Sequence, residues 1–376
     1  MQGTRVTFIY LAVVFGLLVI PRALQRFRLP APLTCFAFGI IVAGFFKPLI
    51  NDSVISYLST LGIAALFLFA GLEVDLAEFR RQLPSLAGNF AVRGLVLVAC
   101  ARIAAVYLHL GWQVDCLIAL ALLTPSTGFI LDMLPYSGLD QTEQSEVALH
   151  AVAGEVTAVF LFLVISQAGS IKTLLISGGA ITLLIAFMPL LFLALGKWVV
   201  PYAPGSEFSL LLMVGLICAI ITQQLGVYYL VGAFVAGLVA RSLNKRIATL
   251  ASAENLDAIR LFASFFIPFY FFHNGLGVPS AALVRASLLY GLVLSALLIP
   301  VRVAVVWLQS RFMQHRGHRG SVRVAIALTP TLIFTLVIAE ILRENFAVSP
   351  PLYGGLLVYA TIASILPSLT LPAFTE

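Results

Sequence analysis

The chain has 376 residues, of which 61% are apolar and only 10% charged, and its mean hydropathy is +1.06. A soluble domain carries about 25% charged residues, so soluble globular, disordered, collagen-like and disulfide-scaffold proteins are excluded, and the sequence reads as an all-α polytopic membrane protein. Its net charge of +6 needs no acidic partner, because the positions of the cations give a simpler account below. The four cysteines, Cys35, Cys100, Cys116 and Cys218, lie in or beside apolar stretches without paired spacing and read as small packing residues.

A spanning helix needs about 20 mostly apolar residues. In chain order such stretches fall at 5–21, 31–46, 53–72, 84–108, 114–134, 145–167, 174–196, 207–223, 225–240, 259–276, 282–308, 322–342 and 350–371. This predicts about 13 transmembrane helices, with a very tight turn after Gln223–Gln224. With the N-terminus outside, the inner loops hold fourteen Lys and Arg and the outer segments four. That asymmetry is the positive-inside pattern. It places the C-terminus in the cytoplasm and the chain in the plasma (inner) membrane, and it assigns the +6 to topology and not to nucleic acid. The run 311–320, with His315 and His318, reads as a solvated inner loop. Residues 1–376 are expected to form a single membrane domain without a soluble regulatory domain.

The fifth stretch contains Leu123-Thr124-Pro125-Ser126 and the twelfth Leu328-Thr329-Pro330-Thr331. Proline in mid-span removes a backbone donor and clashes with the preceding turn. The break is tolerated only where protein or a wet cavity satisfies the freed groups. Seven spans separate the two runs, an odd step, so they point in opposite directions. Matched interrupted helices in inverted repeats are the best sequence pointer to a transporter's binding site.

Three further stretches are LFLFAGLEVDL (66–76), VGAFVAGLVAR (231–241) and FFIPFYFFHNGL (265–276). In content, order and spacing they resemble signature helices of the monovalent cation:proton antiporter superfamily, in the Kef-type branch with the NhaA fold. The resemblance implies NhaA-like inverted repeats with two crossed, discontinuous helices. It also implies a core over about 84–167 and 282–371 and a dimerisation scaffold over about 5–72 and 207–276. Members usually form homodimers and work by an elevator-type movement of the core.

An ionisable residue at mid-membrane is a functional hypothesis by default, and Glu155 lies near the centre of the sixth stretch. By the resemblance, Gly154-Glu155-Val156 falls where relatives carry an acidic pair; Glu155 matches the ion- and proton-binding carboxylate. Gly154 replaces the preceding Asp, Asn or Gln and reads as a helix break alongside Pro125 and Pro330. Thr124, Ser126, Thr127, Thr329 and Thr331 are the expected oxygen donors around Glu155. Arg302 aligns with the basic residue that faces the carboxylate in relatives, and Arg93, a second charge partner, is expected against the core, paired with a carbonyl or an acid. Asp132 and Glu340 read as interfacial acids or funnel residues, and His150 as a packed histidine. No catalytic triad, phosphate loop, cofactor site or resident metal is expected.

The resemblance implies a secondary transporter, not an enzyme, that exchanges Na⁺ or K⁺ for a proton across the lipid bilayer. With one carboxylate the exchange is expected to be electroneutral. Two alternatives are an anion or organic-acid transporter on the same scaffold, because three deep arginines outnumber one deep glutamate, and a transport-incompetent sensor or assembly subunit.

Overall fold

The computed structural model describes residues 2–74, 76–134, 137–167, 171–203, 205–224, 229–243, 252–313 and 318–371. Among them there are no strands. The helices, in order, are α1 (Gln2–Gln25), α2 (Ala31–Phe45), α3 (Ser53–Glu73), α4 (Leu76–Leu108), α5 (Trp112–Leu123), α6 (Thr127–Met133), α7 (Gln141–Gln167) and α8 (Ile171–Trp198). They continue as α9 (Glu207–Gln224), α10 (Tyr229–Ser242), α11 (Ala253–Leu276), α12 (Arg285–Met313), α13 (His318–Ala327), α14 (Leu332–Phe346) and α15 (Pro350–Thr370). The tight turn after Gln224, His315 in the basic loop and the Asp132 side chain lie outside the described residues.

Among the described residues ten helices are long and apolar enough to cross a membrane, or eleven if the bent pair α13–α14 counts as one span. The expected count of thirteen is therefore not confirmed. The shortfall lies in two short apolar helices, Ala31–Phe45 and Val231–Ser242. A 15-residue helix such as α2 rises about 22 Å at 1.5 Å per residue, less than the roughly 30 Å hydrocarbon core.

The chain divides into two compact units. The first comprises Met1–Phe27, Ala31–Arg81 and Gln167–Gly277, and the second Arg28–Pro30, Gln82–Ser166 and Val278–Glu376. In the first unit α3 packs on α10 and α11, α11 also packs on α2, and α10 on α9. Lipid is as apolar as Leu, so helices in a membrane associate through close packing, which small residues permit. The three signature stretches supply those residues. A Cβ on Gly71 would lie 2.1 Å from Phe234 O, and one on Gly237 would lie 2.1 Å from Leu68 O, so α3 and α10 touch backbone to backbone. Gly39 and Gly275 meet in the same way where α2 crosses α11. Gly232 lies on the other side of α10, against Cys218 O of α9. The small-residue spacing at 232–237 thus seats α10 between two neighbours within its own unit.

Gly237→Val should destabilise the protein by about 1–3 kcal/mol or more, the usual cost of overpacking, read as a lowered melting temperature in detergent. Gly44→Ala is the control, because a Cβ there meets nothing within 4 Å; an equal loss in both would show that the α3–α10 contact is unimportant.

In the second unit α12 packs on α13 and α15, and α14 packs on α5, α6 and α15. A core of Ile130, Leu134, Val147, Ala151, Val324 and Leu328 fills the space beside two interruptions. One separates α5 from α6, and the other, with a 40° bend, separates α13 from α14.

Candidate functional site

The interruptions fall on the two Leu-Thr-Pro runs. The chain is unwound at 124–126 and again at 329–331, and Thr127 begins α6. The unwound segments cross: the Ser126 amide donates to Pro330 O at 2.8 Å. The Ser126 hydroxyl accepts from the amides of Ile333 (3.0 Å) and Phe334 (3.4 Å), so it caps α14 from the opposite strand of the crossing. Thr331, at the N-cap position itself, makes no side-chain capping bond. The Thr335 hydroxyl returns the contact by donating to Ala121 O at 2.7 Å.

Every helix end here leaves carbonyls without an intrahelical donor, and within a membrane those carbonyls need protein donors. Arg302, only 7% exposed, supplies them for the end of α13. Its Nη1 donates to Thr329 O (2.7 Å) and to the Tyr359 hydroxyl (3.1 Å), and its Nη2 donates to Leu328 O (2.9 Å). Tyr359 in turn donates to Leu122 O of α5 at 2.6 Å. The Thr124 hydroxyl donates to Leu120 O at 2.6 Å, and that of Thr329 lies within reach of Ile326 O (2.8 Å) and Ala363 O (3.0 Å). The protons of these two threonines are therefore committed to helix carbonyls.

Glu155 is 5% exposed. Its Oε2 accepts from the Thr127 amide at 2.8 Å. Oε1 carries no hydrogen bond and no cationic side chain reaches the carboxylate among the described residues. The Thr127 hydroxyl lies beside the carboxylate yet has no partner in hydrogen-bond geometry, and the buried Thr331 hydroxyl has none either. Of the expected oxygen donors, Thr127 and Thr331 have hydroxyls without a hydrogen-bond partner, the Ser126 hydroxyl bonds across the crossing, and those of Thr124 and Thr329 are taken by carbonyls of α5, α13 and α15.

Two expectations need correction. Gly154 does not break its helix, because α7 runs unbroken from Gln141 to Gln167. Glycine is needed there for room: a Cβ would lie 2.6 Å from Arg93 Nη1 and 2.8 Å from Pro125 Cγ. Arg302 is not paired with Glu155 among the described residues; its bonds go to the Leu328 and Thr329 carbonyls that follow α13 and to the Tyr359 hydroxyl. Arg93 takes a carbonyl, one of its two expected kinds of partner, and not Glu155: its Nη1 donates to His150 O at 3.2 Å. His150 Nδ1 lies 2.9 Å from Glu146 O, and the Thr157 hydroxyl donates to Ala153 O at 2.8 Å. Glu340 pairs with Arg343 and accepts from Tyr353.

The sequence reading missed Tyr359 and Thr335. Tyr359 lies in the middle of α15 and Thr335 in the first turn of α14; membrane burial obliges both polar groups to find partners, and that obligation was the available signal. A cavity of about 260 Å³ adjoins the crossing, lined by Arg93, Thr124, Pro125, Gly154 and Arg302 together with aliphatic side chains.

Ser126→Ala strands two buried amide donors at the start of α14. The expected cost is about 1–3 kcal/mol, read as earlier melting in detergent, with Ser126→Thr restoring most of it. An unchanged melting curve would mean that the crossing does not depend on this hydroxyl.

Comparison with known proteins places this geometry. The structure resembles that of the sodium proton antiporter MjNhaP1 from Methanocaldococcus jannaschii at pH 8, with a TM-score of 0.70 over 98% of this chain and 96% of that one, at 15% identity. In sequence, a Methanocaldococcus jannaschii protein named Probable Na(+)/H(+) antiporter 3 is 25% identical over 72% of this chain and 70% of its own length. YjbQ of Bacillus subtilis (strain 168), whose name likewise describes a Na(+)/H(+) antiporter, is 24% identical over 97% of this chain, which spans 62% of YjbQ. Residues 10–376 match the family described as Sodium/hydrogen exchanger, transmembrane. The chain is thus a member of the sodium/hydrogen exchanger family of multi-helix membrane transporters.

Proposed function

We propose that this protein exchanges a monovalent cation, Na⁺ or K⁺, for a proton, with Glu155 as the shared site. The observation that carries the reading is a buried carboxylate at the crossing of two broken helices, with one oxygen anchored and the other unbonded. The Thr127 amide fixes Oε2, so Oε1 is the atom that takes either a proton or a cation. The partnerless hydroxyls of Thr127 and Thr331 are neutral oxygens suited to a hard cation that has shed water. The two cargoes compete for one charge, and that competition is the coupling. Thr124, Ser126, Thr329 and Arg302 hydrogen-bond to backbone groups at and beside the two breaks.

We assign the transport core to the second unit and dimer formation to the first. The assignment follows the Kef-type, NhaA-fold resemblance of the three signature stretches, which also motivates an electroneutral, elevator-type cycle in a homodimer. The excess of cations in the loops at one face supports an N-terminus outside and a C-terminus in the cytoplasm.

The test is purified protein in proteoliposomes with a pH-sensitive dye inside. An imposed Na⁺ or K⁺ gradient should drive proton movement in the opposite direction. No cation-dependent pH change with either ion, in protein that remains folded, would overturn the reading.

A further inference from the structure

We propose that the cavity beside Arg93 and Arg302 is a binding site for a small organic monocarboxylate, separate from the cation site at Glu155. Its volume is about 260 Å³, larger than the 150 Å³ engineered cavity that accepts benzene. Its remaining walls are mainly aliphatic, with Val96, Leu97, Leu161 and Val305 among them. The shape and chemistry suit an apolar body carrying a single anionic group.

The polar part of the cavity is cationic. Arg302 and Arg93 both line it, and their charges repel each other. Neither forms an ion pair with an acid among the described residues. Arg302 bonds to two carbonyls and a phenol, neutral partners that leave its charge unbalanced. Arg93 has one recorded bond, from Nη1 to His150 O, and its remaining N–H groups are without protein partners among the described residues. Charged side chains at membrane depth face a cavity or pair with an opposite charge; here two cations share a cavity. Gly154 completes the arrangement. Lacking a side chain, it leaves room for the Arg93 guanidinium, which lies 2.6 Å from the position a Cβ would take.

A guanidinium binds planar carboxylates through two parallel N–H donors. The aliphatic walls disfavour a multiply charged phosphate, and a halide would leave most of the volume unfilled. The same chemistry is available from two sources, a short carboxylate from water or the acid of a bilayer fatty acid.

The experiment uses the full chain in phosphatidylcholine nanodiscs, titrated with butyrate, butanol and butylamine by calorimetry. Butyrate should bind at least tenfold tighter than either control, and affinity should rise about fourfold per added methylene until the cavity is full. Arg93→Gln should weaken butyrate at least tenfold. Gly154→Asp should abolish binding by supplying a carboxylate from the protein itself. A melting curve for each variant verifies folding; Gly154→Asp must displace the Pro125 ring, so if either variant fails to fold, the comparison of butyrate with butanol and butylamine and the chain-length series still decide. Native mass spectrometry separates the sources. A fatty acid that co-purifies with wild type and is lost in Gly154→Asp assigns the site to the bilayer acid, while an empty site that binds butyrate assigns it to a soluble one. Butyrate no tighter than butanol, displacement of butyrate by equimolar chloride, or unchanged affinity in Gly154→Asp would overturn the proposal.

Discussion

Glu155→Gln should reduce cation-driven proton movement by at least about a hundredfold, while the protein melts at or slightly above the wild-type temperature. The two halves of this expectation rest on different atoms. The amide carbonyl oxygen that the substitution introduces can still accept from the Thr127 N–H, as Oε2 does at 2.8 Å, so the start of α6 keeps its partner. The charge is what disappears. An amide neither takes up a proton at neutral pH nor offers a cation the negative charge needed to replace its water. Removing a desolvated charge should also relieve the protein, since a buried carboxylate without a cationic partner is unfavourable; a slightly raised melting temperature fits the same account. Glu155→Asp supplies the contrast. The arm shortens by one carbon–carbon bond, the charge stays, and the Thr127 anchor is lost, so partial activity with altered apparent cation affinity is expected. The measurement is initial rate against cation concentration in proteoliposomes, normalised to inserted protein. Cation-coupled flux in Glu155→Gln within a few fold of wild type would remove Glu155 from the mechanism.

The crossing was legible in the sequence because its cause is local. Proline lacks an amide hydrogen wherever it stands, and two Leu-Thr-Pro runs an odd number of spans apart imply opposed, interrupted helices before any contact is known. Glu155 was legible for an equally local reason, the expense of a carboxylate in mid-span. The use of Arg302 was not. Its partners are Leu328 and Thr329 carbonyls 26 and 27 residues away and Tyr359 at 57. These acceptors exist only because the second break exposes them, and a guanidinium with five donors is better satisfied by several carbonyls than by one carboxylate. Gly154 misled in another way. Glycine weakens a helix by only about 1 kcal/mol, which packing easily overrides, and the need for space against Pro125 and Arg93 arises from residues remote in sequence. The signature stretches carried family resemblance in their letters, but the reason for their glycines emerged only when α3, α10 and α11 met backbone to backbone.

Exchange should be insensitive to membrane voltage, changing less than about twofold between 0 and −100 mV. Glu155 is the acidic side chain at the crossing, and the other free oxygens there, on Thr127 and Thr331, are neutral. One carboxylate carries one proton in one direction and one monovalent cation in the other, so no net charge moves. Arg302 cannot supply a second proton, since arginine stays charged at any physiological pH. A cycle moving one net charge would respond with about 2.3 kcal/mol per 100 mV, roughly fiftyfold in the equilibrium gradient, so the two outcomes are well separated. Position 154 is where a second carboxylate would stand. Gly154→Asp alone should melt earlier, because its Cβ must displace the Pro125 ring, and should remain voltage-insensitive, because its carboxylate would be built against the Arg93 guanidinium and held as a permanent ion pair. Combining it with Arg93→Gln frees the new carboxylate to take up a proton of its own, and that double variant should become voltage-dependent. Both measurements use reconstituted protein with the potential set by a valinomycin K⁺ gradient and Na⁺ as the exchanged ion. A steep voltage response in the wild type would refute the single-carboxylate cycle. A voltage-insensitive double variant that still exchanges would show that position 154 does not face the transported ions.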